Sequence, residues 1–148
     1  MRIRKATIDD RFTIGQFQIA MALETENLKL NPEVIEKGVI AVFRDPTRGI
    51  YFVAEKEAKV VGSLLITFEW SDWRNGNVWW IQLVYIKPEA RRNGIFKKMY
   101  MHVKEIVLID PHLQGLRLYA DKSNKIAHNT YHNLGMDSNH YDMFEWMK

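Results

Sequence analysis

The sequence predicts a single mixed α/β domain, and three observations carry that reading. Stretches with strand-like and helix-like periodicity alternate along 148 residues, a length that supports one sizeable core. Asn75-Gly76 stands between two apolar runs, a strong hairpin signal because both residues tolerate positive φ. Residues 94–108 place Phe96, Met99, Tyr100, Val103, Ile106 and Val107 on one side of a helix.

Taken in order, residues 2–6 read as a short strand. Residues 7–27 read as a helix, with Phe17, Met21, Glu24 and Leu28 at helical spacing. Asn31-Pro32 opens a second helix, Asn31 as N-cap and Pro32 in the first turn, and Asp45-Pro46 ends it near Arg44. Residues 49–55 and 59–70 read as strands joined by a tight turn at Lys56-Glu57-Ala58. A strand over 78–86 follows the Asn75-Gly76 turn, and the helix over 94–108 stops at Asp110-Pro111. Residues 116–120 read as strand. Residues 123–134 read as helix, capped by Ser123 and stopped by Gly135. Residues 140–147 read as a last strand. The predicted order is β-α-α-β-β-β-α-β-α-β, with neither repeat nor linker to suggest a second domain.

Composition narrows the function. Hydrophobic residues make up 47% and charged residues 26%, the profile of a globular protein, and no apolar run approaches a membrane span. The N-terminus runs into Asp9, Asp10 and Arg11 rather than an apolar signal core, so a cytoplasmic protein is expected. Cysteine is absent, which removes disulfides, thiolate nucleophiles and cysteine-held metals. His128 and His132 are four apart on one predicted helix, but nothing nearby completes a metal site, so no metal is expected. The net charge is +3, while residues 87–105 alone carry six basic residues against two acids. A focused anion site fits that distribution. A broad nucleic-acid surface does not.

The basic segment is "ARRNGIFKKMY", at a strand-to-helix junction. A helix N-terminus offers unpaired amides and a partly positive macrodipole, which together favour phosphate. Arg91 and Arg92 add charge. Gly94 either lets backbone approach an anion or merely relaxes a turn. The wider stretch "VYIKPEARRNGIFKKMY" resembles the acetyl-CoA-binding motif of the GNAT superfamily of N-acetyltransferases, approximately V-x-P-x-x-R-G-x-G-I-G-x-x-L with a core of Q/R-x-x-G-x-G/A. Ile86-Lys87-Pro88 matches its start, Arg91 the Q/R, Gly94 the first core glycine, Ile95 the next apolar position and Met99 the later leucine. Arg92 and Phe96 depart, each standing where the family carries a small residue. Phe96 falls on the apolar stripe, which turns its ring toward the core. Residues 116–136 resemble the family's later strand and helix through Asn124, Ala127, Tyr131, Gly135 and Met136. Asn124, Ala127 and Tyr131 share one helix face, where they serve either a ligand or ordinary capping and packing.

The resemblance implies a splayed central sheet flanked by helices and direct transfer of an acetyl group from acetyl-CoA to an amine, with CoA as product. It implies that main-chain groups of Leu83, Val84, Tyr85 and Ile86 pair with the pantetheine arm, the Val84 amide polarising the thioester carbonyl. It implies that the amides of Arg91, Arg92, Asn93, Gly94, Ile95 and Phe96 hold the pyrophosphate. Asn124 and Ala127 would flank the cofactor, and Tyr131 would be the general acid. The glutamate that many relatives use as base is replaced by Trp80. Glu24, Glu26, Glu69, Asp72 or a water chain could serve instead. Trp80, Trp70, Gln82 and Glu26 are expected to line the pocket of a small-molecule or peptide amine, aromatic walls attracting a cation. Neither nucleic acid nor membrane is an expected partner, and a homodimer is left open. The alternative is a GNAT-like module that binds CoA without catalysis.

Overall fold

The computed structural model describes residues 1–148, which form two compact units, Met1–Arg117 and Leu118–Lys148. The first unit holds a five-stranded sheet in the order β1-β2-β3-β4-β5: Arg2–Lys5, Ile50–Lys56, Lys59–Ser71, Gly76–Ile86 and Leu113–Arg117. The first three junctions are antiparallel, and β4 and β5 run parallel. Helices α1 (Arg11–Glu26), α2 (Pro32–Arg44) and α3 (Ile95–Ile109) complete it.

Alternation along the strands sends side chains to two faces. Tyr51, Val53 and Leu65 meet Ile14 of α1 and Val39 of α2. On the other face the Phe52 ring lies 5.7 Å from His102 of α3 and 6.4 Å from Trp79. Adjacent Trp79 and Trp80 therefore part company, as expected. Trp79 is buried and Trp80 half-buried on the α1/α2 face. Side chains such as Ile14, Phe52 and Leu64 are fully buried, each contributing about 1.5–3 kcal/mol.

Several expected bounds shift for local reasons. The first helix is preceded by a single 3-10 turn at Ile8–Asp10, where the Thr7 N–H donates to Asp10 Oδ2 at 2.7 Å. Asn27 ends α1 in the left-handed region, φ 49°. Asn31 caps α2 through Oδ1, with Pro32 as its first residue, as the sequence predicts. In the second hairpin only Asn75 takes positive φ. Gly76 is needed for space instead, since a Cβ there would lie 2.7 Å from the His112 carbonyl oxygen. β5 begins three residues earlier than expected. Asp110 turns the chain at once, and parallel pairing with β4 sets the register from Asn77↔Leu113 to Trp80↔Arg117.

Asp10 anchors the start of the fold. Its carboxylate accepts from Arg4 at 2.8 and 3.0 Å, and Arg4 also meets Glu55. The Arg4 hydrogen bonds hold the Asp10 carboxyl below its usual range, against the opposing effect of burial. Asp10→Asn is expected to cost about 2 kcal/mol at pH 7. A depressed carboxylate stabilises above its unfolded pKa, and that stability disappears as pH falls through the folded value. Urea melts should therefore show the two proteins converging below about pH 4.

The second unit holds α4, Lys125–Asn133. Its cap is Asn124, whose Oδ1 accepts from the Ala127 N–H at 3.1 Å, and not Ser123 as expected. Ser123 is occupied by Asp121, to which both its N–H and hydroxyl donate. Gly135 closes the helix at φ 88°, with Met136 N–H bonded to the Tyr131 carbonyl. The strand expected over 140–147 does not form. The segment has no ladder partners, and Tyr141, Phe144 and Trp146 are each more than 80% exposed. Apolar content alone does not make a strand when no neighbour satisfies its backbone groups.

Candidate active site

The site begins with an irregularity in β4. Ser63 pairs with Tyr85 but Leu65 with Gln82, so three residues of β4 span what two of β3 span. The extra residue is a β-bulge, and Leu83 adopts φ 50° to make it. Leucine disfavours that region, so the local cost is met by the surrounding ladder. The bulge flips the alternation. Gln82 and Tyr85 consequently share the α1/α2 face, and the Tyr85 ring packs 5.0 Å from Phe17 of α1.

A second irregularity lies on the far edge of the same strand. β5 pairs with β4 only as far as Trp80. From Ile81 to Ile86 the strand has no neighbour in the sheet on that side. Leu83, Val84, Tyr85 and Ile86 thus run beside an open edge able to accept an extended ligand by main-chain hydrogen bonds.

The open edge leads into the basic loop. After a 3-10 turn at Pro88–Ala90, the Asn93 side-chain amide donates to the Ala90 and Arg91 carbonyls, 3.1 Å each, and ties the loop together. Arg92 and Gly94 both take left-handed conformations, φ 64° and 66°. Gly94 is the N-cap of α3 and no side chain caps that end. The first helical bond is Lys98 N–H to the Gly94 carbonyl, which leaves the preceding amides directed out of the helix. A Cβ at Gly94 would meet no heavy atom within 4 Å beyond its chain neighbours, so the loop is open on that side. Ile95 is buried. Phe96 is half-buried, with its ring 6.3 Å from Tyr100, along the apolar stripe as expected.

Arg91 does not point into open solvent. Its Nε donates to the Ile86 carbonyl at 2.9 Å and its Nη2 to Glu24 Oε2 at 2.7 Å. Its guanidinium lies 5.5 Å from the Tyr85 ring centroid, and the Tyr85 hydroxyl donates to Glu24 Oε1 at 3.2 Å. Glu26, two residues on, leaves α1 on roughly the opposite side and is exposed.

Toward the other end of β4, the α1/α2 face turns polar. The Gln82 amide donates to Thr67 Oγ1 at 3.2 Å. Glu69 accepts from the Trp80 indole N–H at 2.8 Å and from Arg117 at 2.6 Å. The indole bond foremost, then Arg117, holds the Glu69 carboxyl below its usual range. Trp70 is not part of this cluster. Alternation sends it to the opposite face with Phe68, and it is 63% exposed. Beside Glu69, already a candidate from the sequence, Thr67 and Arg117 are the polar members that the tryptophans obscured. The Asn75-Gly76 hairpin pairs Thr67 with Trp80 across the ladder, so counting back from the turn was the available signal.

In the second unit, Asn124, Ala127 and Tyr131 follow one another along α4. Tyr131 is half-buried, and burial pushes its phenol above the ordinary value. His128 bonds the Asp121 carbonyl and His132 the Ser138 hydroxyl. No group of three His, Asp or Glu side chains is arranged to hold a metal. No helix is long and apolar enough to cross a membrane.

A mixed sheet whose central strand is bulged, half-open and continuous with an uncapped helix start defines the fold class of the acetyltransferases. The chain belongs to the Acetyltransferase (GNAT) family, whose sequence model matches residues 17–136. It is 43% identical to a possible acetyltransferase from Clostridium difficile 630, covering 99% of this chain and 97% of that one, with a TM-score of 0.93. A predicted acetyltransferase with acetyl-CoA from Clostridium acetobutylicum shares the fold at 18% identity, 97% and 95% coverage and a TM-score of 0.74. Among curated proteins, the thialysine N-epsilon-acetyltransferase of Bos taurus is 38% identical over 76 residues. That match spans 51% of this chain and 44% of the bovine protein, so less than half the relative's length is represented.

Proposed function

We propose that the protein transfers an acetyl group from acetyl-CoA directly to a primary amine of a small molecule or peptide. The observation that carries this reading is the continuity of the open, bulged β4 edge with the uncapped N-terminus of α3. An extended arm ending in phosphates fits that path, and the space before Gly94 admits them.

Acetyl-CoA would supply an activated thioester; its C–S bond breaks as a C–N bond forms to the amine, whose surplus proton passes through water to solvent while a proton is supplied to the departing sulfur. The chain does the rest. Main-chain groups of Leu83, Tyr85 and Ile86 align the arm, and the Val84 amide faces the thioester carbonyl as an oxyanion-type donor. Amides of Arg92, Asn93, Gly94, Ile95 and Phe96 hold the pyrophosphate, whereas the Arg91 N–H, expected among them, already donates to the Pro88 carbonyl at 3.3 Å. Asn124 and Ala127 flank the cofactor on α4, and Tyr131 keeps a proton for the departing sulfur. These three enter through the family motif.

The acceptor belongs on the polar part of the α1/α2 face. Glu69 is committed to the Trp80 indole and to Arg117, which makes it a weak base and fixes the polar floor of this face. Trp80 and Gln82 form the adjoining wall. Trp80→Leu is expected to raise the acceptor KM about tenfold, since it removes both the aromatic face and a donor to Glu69. The KM for acetyl-CoA should stay within about twofold, and equal changes in both would remove Trp80 from the acceptor site.

The deciding measurement follows CoA thiol released from acetyl-CoA across amines that include amino acids with side-chain amines, thialysine among them. Turnover with at least one amine supports the proposal. Tight CoA binding with no turnover on any amine, and no effect of Tyr131→Phe, supports a non-catalytic CoA-binding module instead.

A further inference from the structure

Arg91 ties the basic loop to α1. Its pairing with Glu24 spans 67 residues of sequence, and both side chains are partly open to water, 44% and 39% exposed. Such an exposed pair is weak and readily exchanged for a better partner. The Nε bond to the Ile86 carbonyl acts as a pivot, so only the Nη end must turn for Arg91 to leave Glu24. A diphosphate held by the neighbouring amides brings more negative charge than one carboxylate, and a guanidinium fork suits phosphate oxygens well.

Glu24 has a place to act once released. It sits in the last turn of α1, bonded to Tyr85. The bulge puts Tyr85 on the same face of β4 as Trp80 and Gln82, the face assigned above to the amine. We infer that Arg91 is shared between Glu24 and the cofactor pyrophosphate, and that its transfer to the pyrophosphate frees Glu24 to hold the ammonium of the acceptor. This rests on the proposed acetyl-CoA site. It makes Glu24 a positioning residue whose availability depends on cofactor occupancy, and it orders binding with acetyl-CoA first.

The test is calorimetric titration of CoA, and separately of inorganic pyrophosphate, into wild type, Glu24→Gln, Arg91→Ala and the double variant. Glu24→Gln is expected to tighten both ligands about two- to fivefold, the range an exposed ion pair spans. The gain should vanish in the Arg91→Ala background. In turnover, Glu24→Gln should raise the acceptor KM with the acetyl-CoA KM unchanged or lower, while Glu57→Gln, at an exposed acid in the turn between β2 and β3, changes neither. Thermal melts confirm that each variant is folded. Tightening that persists without Arg91 means a general field effect and overturns the inference, as does CoA affinity that is unchanged or weaker in Glu24→Gln. Wild type that binds no CoA overturns the proposed function itself, a result distinct from the other two.

Discussion

Tyr131→Phe is expected to lower kcat about a hundredfold, within the range for loss of a general acid, while the KM for acetyl-CoA changes less than about threefold. The substitution removes one hydroxyl and keeps the half-buried ring, so the expected loss is chemical rather than structural. Burial raises the Tyr131 phenol, which keeps it protonated at neutral pH. The donor form is lost only as pH rises through that raised value. The wild-type kcat profile should accordingly fall on its alkaline side, beyond the ordinary tyrosine range near about 10. The phenylalanine variant should lack that limb. A rate unchanged by the substitution would take the proton-donor role away from Tyr131.

Gly94→Leu is expected to weaken CoA binding by about a hundredfold at small cost in stability. The residue sits at φ 66°, where leucine carries about 1–2 kcal/mol of strain. No heavy atom beyond its chain neighbours obstructs its Cβ, so the added side chain enters open space at the start of α3 rather than the core. Phe96→Gly should behave in the opposite way. It removes a ring packed toward Tyr100 and places glycine in a helix, a combined loss of about 2–4 kcal/mol, with CoA affinity within about threefold of wild type. Calorimetry and thermal melts on the pair read both quantities. The reverse pattern would mean that Phe96 fills the phosphate groove and that the site is degenerate.

The features legible in the sequence are those set by local chemistry. Asn31-Pro32 and Asp45-Pro46 bound α2 because capping and proline geometry act over a few residues. The opposed directions of Trp79 and Trp80 follow from pleating alone, and Gly135 stops α4 through its freedom at positive φ. The basic loop could be recognised because its charge, its glycine and the following helix are contiguous. Long-range features were hidden. The bulge is made by a leucine at φ 50°, with no glycine to announce it. β5 takes its register from β4, not from its own apolar alternation. Residues 140–147 carry strand-like side chains but no pairing partner. The Arg91–Glu24 and Glu69–Arg117 contacts join residues 67 and 48 positions apart, beyond the reach of any local pattern.

The extra residue at Leu83 amounts to a half-period phase slip in β4. Upstream of it the even-numbered positions Trp80 and Gln82 look toward α1 and α2, and downstream the odd-numbered Tyr85 does. Trp80, Gln82 and Tyr85 share one surface only because the count is broken between them. A single-residue insertion or deletion between Trp80 and Tyr85 would restore regular alternation and send Tyr85 to the side of the sheet opposite Trp80 and Gln82. A paired change, one residue in and one out, would leave them facing each other. Substitution is free to retune either half of this strand, but its length is not free to drift by one.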